Sequence, residues 1–297
     1  MFKTIDPSKI SHSELHRLML GAIAPRPIAF ASTIDADGRP NLSPFSFFNA
    51  FGVNPSTIIF SPSRRGRDNT TKDTFDNIKQ VPEVVINAVT YGMVEQVSLA
   101  STEFPKGVNE FEKSGFTPLA SKKVRPFRVK ESPVQWECRV RDLIETGKGG
   151  GAANLVICEV LAVHLNEEIL TIDGLIDTQR IDLVGRMGGD YYVRANGNAL
   201  FEVEKPLQKP AIGIDALPQH LRNSPLLTGN ELGRLGSVEF PPSIEEIALV
   251  AKLDAIREII ENQVLTTEAK LEKLHGHIRL MLAEGRKKEA LAIGYLI

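Results

Sequence analysis

The stretch from Ser61 to Thr74 sets Arg64, Arg65, Arg67 and Lys72 among serine and threonine hydroxyls and joins a strand to a helix. Unpaired N–H groups of a first helical turn and nearby cations both favour an anion, so the chemistry on offer is phosphate binding. The same residues also fit a solvated loop with Thr71 as a simple N-cap. Neither a P-loop spacing (G-x-x-x-x-G-K) nor G-x-G-x-x-G follows a strand, so a nucleotide has to be held in another way.

Two more clusters have chemical potential. Asn41 to Asn49 is odd for a plain strand, because Pro44 removes a ladder donor and Ser43 and Ser46 punctuate it. Such a segment exposes backbone groups that could pair with the pyrimidine edge of a flavin, with Phe47 or Phe48 packed nearby; the alternative is an edge strand with core phenylalanines. Gly185 to Tyr192 combines Arg186, a permissive glycine backbone and two phenols. It reads either as a loop that covers a ring or reaches a phosphate, or as a tight turn with surface tyrosines.

Other chemistries find little support. No Ser/His/Asp or Cys/His arrangement argues for a hydrolase, and His164 reads as a satisfied strand residue rather than a base. The six histidines are scattered, and His275 with His277 lacks a nearby cysteine or carboxylate at ligand spacing, so no metal site is expected. Cys138 and Cys158 have no CxxC partner and read as two buried thiols, the alternative being a disulfide or a reactive thiol.

These residues need elements to position them. Ile10, Leu15, Leu18 and Met19 predict a short helix stopped by Gly21 and Pro25. From Arg26 to Thr33 the period becomes two, and Asp35 to Gly38 supplies the turn of a β-hairpin. Strands are predicted at Ser56 to Ser61, Glu83 to Val89, Gln135 to Glu145 and Leu155 to Leu165. In the third of these, Val134, Trp136, Cys138 and Val140 share one face, while Gln135, Glu137, Arg139 and Arg141 form a wet one. The fourth is apolar almost throughout, as expected of a strand covered on both faces. Short helices are predicted at Thr71 to Gln80, Tyr91 to Ser101 and Asn109 to Ser114. Many strands at short spacing with few long helices predict a mainly β protein with helices, an antiparallel barrel ending near Ala195.

Beyond it, residues 196–242 are rich in proline and glycine and read as an irregular connector. Ser243 to Glu246 forms a capping box, and Ile244, Ile247, Val250, Leu253, Ile256 and Ile260 continue at helical spacing. Leu271, Leu274, Ile278 and Leu282 predict a second helix, and Lys287 to Ile297 a third. The expected organisation is a barrel domain over 1–195, a connector over 196–242 and a helical extension over 243–297.

Composition sets the limits. The chain has 297 residues, enough for a substantial core, with 42% apolar and 24% charged residues and a formal charge of −2. No basic excess exists to track a nucleic-acid backbone, so nucleic acid is not an expected partner. The amino terminus resembles neither a signal nor a transit peptide, and no apolar run reaches the roughly 18 to 20 residues that cross a bilayer. No membrane association and a cytoplasmic location are expected.

In order along the chain, Arg26-Pro-Ile-Ala-Phe-x-Ser-Thr33, Asp37-Gly38, Asn41-Leu-x-Pro-x-Ser-Phe-Phe48, Lys72-Asp-Thr74, Asn87, Glu137-Cys138 and Arg186-x-Gly-Gly-x-Tyr191 resemble the flavin reductase-like family of FMN-binding split barrels. The likeness covers about residues 10 to 195. It implies a six-stranded split β-barrel that dimerises, with FMN bound non-covalently at or near the dimer interface. By position, Ser46, Phe47, Phe48 and Asn49 would line the isoalloxazine through backbone contacts, with Ser32 and Thr33 beside it. Ser61, Lys72, Asp73 and Thr74 would take the ribityl and phosphate end, and Arg186 and Tyr191 carry over from a loop that varies within the family.

The family includes NAD(P)H:flavin oxidoreductases and flavoredoxin-like electron carriers. The first implies NADH or NADPH as donor, with hydride passing from nicotinamide C4 to flavin N5; the second implies a redox partner protein. A non-catalytic flavin-binding module is a third possibility. The flavin carries the chemistry in each redox case, so no residue is assigned as catalytic. The helical extension lies outside the resemblance, and either covers the flavin entrance, reaches the partner subunit, or packs as an appendage that enlarges the dimer.

Overall fold

The computed structural model describes residues 1–204 and 210–296, and the chain divides into two units, Met1–Phe201 and Glu202–Ile297. In the first, helix α1 (His12–Ala22) starts at a capping box in which Ser11 and Glu14 satisfy each other's backbone amides. The main strands are β1 (Ala29–Ile34), β2 (Pro40–Phe45), β3 (Phe48–Val53), β4 (Ser56–Phe60) and β5 (Glu83–Asn87). A two-residue pair follows, β6 (Pro118–Leu119) with β7 (Arg128–Val129), and then the long hairpin β8 (Val134–Glu145) and β9 (Asn154–Leu165). Helices α2 (Asp73–Gln80), α3 (Val94–Ala100) and α4 (Glu110–Ser114) lie between them, and β10 (Val184–Arg186) pairs with β11 (Tyr192–Arg194).

Seven strands form one antiparallel sheet in the order β2-β1-β5-β8-β9-β4-β3. One apolar cluster draws Ala29 and Ala31 from β1, Phe45 from β2, Phe60 from β4, Ile86 from β5, Cys138 from β8 and Val156 from β9, with Phe48 of β3 against it. A sheet whose every strand feeds one cluster has curled around it, and the ring of Phe45 in end strand β2 meets that of Phe60 in β4, next to the other end, at 5.6 Å. The end strands β2 and β3 are consecutive in the chain yet not paired, so the barrel is split between them at Ser46 and Phe47. The sheet thus has seven strands, where the resemblance implied six, because the segment read as one interrupted strand, Asn41 to Asn49, turns a corner and becomes two. Pro44 sits in β2, an end strand that tolerates a missing donor.

Two strand faces differ from expectation. Gln135 and Glu137 are not on a wet face: they are 6% and 0% exposed. Alternation assigns them correctly to the outer face of β8, but the segment carrying Lys122 and Lys123 lies over it. Conversely β9 is not covered on both faces. Leu155, Ile157 and Leu161 are half-buried, and Val163 and Leu165 are exposed.

The second unit is helical, with α5 (Gln219–Arg222), α6 (Gly229–Gly236), α7 (Ile244–Ala251), α8 (Asp254–Glu261), α9 (Thr267–Ala283) and α10 (Lys287–Ile293). Ser243 and Glu246 make the expected capping box, but the stripe from Ile244 to Ile260 is two helices that meet at Leu253, with Val250, Ile256 and Ile259 sharing one core. Residues 196–242, read as an irregular connector, hold α5 and α6, the latter started by a Thr228–Glu231 capping box. Their Leu217, Leu221, Leu227 and Leu235 belong to the same core as α9 and α10. Part of that stretch, 205–209, lies outside the described residues.

Candidate functional site

Helix α2 begins without a side-chain cap. Lys72 is the N-cap residue, while the Thr71 hydroxyl, the alternative cap, instead donates to Asp76 Oδ1 at 2.8 Å. The Asp73 and Thr74 amides are therefore not claimed by a capping side chain, while the Phe75 amide donates to Lys72 O at 2.9 Å. Arg65 and Lys72 line a shallow recess of about 30 Å³ with Ser43, Asp73, Thr74 and Glu103. A neighbouring groove of about 300 Å³ shares Asn41 and Asp73 with it.

Buried polar groups fix the recess from behind. Glu110 is 7% exposed; it accepts from Asn41 Nδ2 at 3.1 Å and from the Leu42 amide at 3.0 Å. Burial raises the Glu110 carboxyl above its usual range, against the pull of those donors. Asn41 Oδ1 in turn accepts from the Thr74 hydroxyl at 2.8 Å, and Asn77 Nδ2 donates to Thr33 Oγ1 at 3.2 Å. Thr33 and Thr74 are thus inside the protein, tied to the recess through Asn41. Ser32 Oγ is wholly buried without a protein partner, on the β1 face it shares with Ile28 and Phe30.

The corner between β2 and β3 is anchored separately. Ser46, Phe47 and Phe48 are half-buried and Asn49 is exposed, its Oδ1 accepting from the Ala50 amide. The Ser61 amide donates to Phe47 O at 2.9 Å, and Ser61 Oγ accepts from the Asn154 amide, so Ser61 holds the corner against β9. Arg26, 4% exposed, donates to Ser46 Oγ, to Leu20 O and Ile23 O at the end of α1, and to Met187 O. One guanidinium thereby ties α1, the corner and the loop after β10 together, a role that the spacing of the Arg26-Pro motif did not disclose. Over the corner, His16 of α1 meets the Phe47 ring edge-on at 6.3 Å.

Of the loop residues, Arg186 exchanges backbone bonds with Arg26 and stacks over the Tyr192 ring at 4.6 Å, whereas Tyr191 is 78% exposed. The structure therefore brings the proposed residues together in two groups: Lys72, Asp73 and Thr74 with Thr33 behind them, and Ser46 to Asn49 with Ser61 and, through Arg26, Arg186. Among the described residues no group of three or more His, Cys, Asp or Glu is placed to hold a metal. Cys138 and Cys158 are buried free thiols in the barrel core, and His164 is satisfied by Glu137 at 2.6 Å. The donor set fits a phosphate-bearing ligand: a helix start without a side-chain cap, the Arg65 and Lys72 cations beside it, and a corner of interrupted backbone at the barrel split.

Comparison with known proteins gives this arrangement a setting. Residues 20–180 match the flavin reductase like domain. An uncharacterized protein of Aquifex aeolicus is 38% identical over 189 residues, 64% of this chain and 94% of its own length. Among solved structures, nitrilotriacetate monooxygenase component B from Bacillus cereus superposes with a TM-score of 0.64 at 27% identity, covering 68% of this chain and 99% of that one. The 2-nitrobenzoate 2-nitroreductase NbaA of Pseudomonas fluorescens gives a TM-score of 0.62 at 25% identity, covering 71% and 100%.

Proposed function

The chain belongs to the flavin reductase-like family, and on that footing we propose that it binds FMN non-covalently and works as an oxidoreductase that draws on NADH or NADPH. The uncapped start of α2, with Arg65 and Lys72 at its mouth, carries this reading.

When bound, the flavin supplies the redox chemistry, accepting reducing equivalents and passing them on. The chain's own residues bind and orient it. Lys72, Arg65 and the first amides of α2 balance the phosphate charge. The backbone of Ser46 to Asn49 lines the ring, with Ser61 and Arg26 fixing that corner in place. Asn41, held by Glu110 and Thr74, keeps the recess wall rigid.

A homodimer completes the site in this reading. Val163 and Leu165, 50% and 41% exposed near the end of β9 and paired with Trp136 and Val134 of β8, are apolar side chains that a second copy would cover. We place the protein in the cytoplasm; among the described residues no helix is long and apolar enough to cross a membrane.

The test is titration of the flavin-free protein with FMN, followed by anaerobic mixing with NADH or NADPH. Stoichiometric binding and rapid bleaching of the flavin band are expected. Binding without bleaching by either nucleotide would replace the reductase with a carrier that takes electrons from a protein partner; no binding would end the flavin reading.

A further inference from the structure

Three cations converge on one carboxylate at the mouth of the recess. Glu103 Oε1 lies 3.0 Å from Arg65 Nε and 3.4 Å from Lys72 Nζ, while Oε2 lies 2.9 Å from Arg67 Nη2. The carboxylate arrives from the segment after α3, more than thirty residues along the chain, and sits where the uncapped end of α2 would receive an anion. Arg65 and Arg67 hydrogen bonds, with the charge of Lys72, hold its carboxyl below the usual range.

Of these four groups Arg65 is the most enclosed, while Arg67, 74% exposed, also pairs with Asp68. Arg65 also donates to the Thr70 hydroxyl and to Thr71 O, and its side chain is 20% exposed. Lys72 starts α2, and its side chain is 31% exposed. The Glu103 side chain is 40% exposed and can turn into water without burying its charge. A phosphate dianion gains more from three cations than a carboxylate monoanion does, so exchange of one for the other favours the ligand.

Taking this recess as the flavin's phosphate subsite, as the reading above has it, we propose that Glu103 is its resident counter-anion, which occupies the three cations in the free protein and yields them to the incoming phosphate. Glu103 is then a specificity-determining residue. A ligand without a phosphate gains nothing from the cations, and a monoanionic one merely replaces like with like. Only a dianion displaces the carboxylate at a profit, so the contact weakens FMN binding while sharpening preference for it over weaker anions.

The experiment measures dissociation constants of FMN and riboflavin for the full-length wild type and for Glu103→Gln by quenching of flavin fluorescence. The variant is expected to bind FMN about tenfold more tightly, with riboflavin affinity unchanged. Unchanged FMN affinity overturns the proposal. Weaker FMN binding overturns it too, showing that Glu103 organises the cations instead. An equal gain for riboflavin would mean a general effect on the site and is likewise fatal. FMN binding by neither protein would remove the flavin reading itself, a result distinct from the other three.

Discussion

Glu137 and His164 meet at 2.6 Å on the outer face of the β8–β9 hairpin, as diagonal neighbours in a register that pairs Glu137 with Ala162 and Gln135 with His164. The same carboxylate accepts from the amides of Lys122, Lys123 and Val124. It is the staple that lays this loop over the barrel wall.

Glu137→Gln is therefore expected to destabilise the barrel by about 2–3 kcal/mol, since a charged acceptor of several buried donors is lost. Burial pushes the carboxyl up, but the Lys122 and Lys123 amides and His164 outweigh it, and the net value lies below the ordinary one. A lowered folded value means stability that is full above the unfolded value of about 4.3 and lost as pH falls through the folded one. Urea unfolding at neutral and acid pH checks this: the wild type should lose stability on acidification by more than Glu137→Gln does.

Arg26→Ala should loosen three segments at once, because Ser46, Ile23 and Met187 share its guanidinium. A cost of about 3 kcal/mol is expected from the carbonyls left without a charged donor. Arg26→Lys should recover only part of it, a point donor being unable to reproduce the fork. Hydrogen exchange would show the loss spreading to the end of α1 and the loop after β10.

Cys138 and Cys158 should not react in the native protein. Both side chains are wholly buried, and burial pushes the Cys138 thiol up to about 12 and raises Cys158 as well. A thiol reagent should titrate neither cysteine under native conditions and both after denaturation. Rapid native modification would mean that the barrel core opens on the time scale of the assay.

The helical unit should be sensitive to acid. His220 Nε2 faces Gly294 O at 2.9 Å and so offers Nδ1 as acceptor to His275 Nε2, 3.1 Å away, with the two rings stacked. Burial, then the neighbouring His220, lowers the His275 value. Its contribution is thus present above the unfolded value of about 6.5 and lost as pH falls below it, because the unfolded chain takes up the proton first. Helical circular dichroism on heating should show a lower midpoint near pH 5.5 than near pH 7.5, by roughly a few degrees. Replacing His275 by Gln should flatten that dependence.

Much of the barrel was legible because its signals are local. The turn at Asp35 to Gly38, the alternation in β8 and the start of α2 after Arg67 each lie within a dozen residues. What covers a face is not local. Alternation placed Glu137 on the outer side of β8 but says nothing of the Lys122 amide that removes it from water. The Asn41–Glu110 contact joins residues far apart in the chain, and no spacing announces it. The helices within 196–242 were a different matter: Thr228 and Glu231 stand at capping-box spacing, and the prolines around them masked a readable signal.

The break between β2 and β3 has a mechanical meaning. Everywhere else around the sheet, parting two strands requires breaking a ladder of hydrogen bonds, but along this line there is none to break. Away from the Ser46–Phe47 corner that joins them, the two strands have no ladder between them, and what meets across the gap is side chains such as Phe45 against Phe60. The barrel thus behaves as a sleeve with one unsewn seam, stiff around its girth and compliant along a single line.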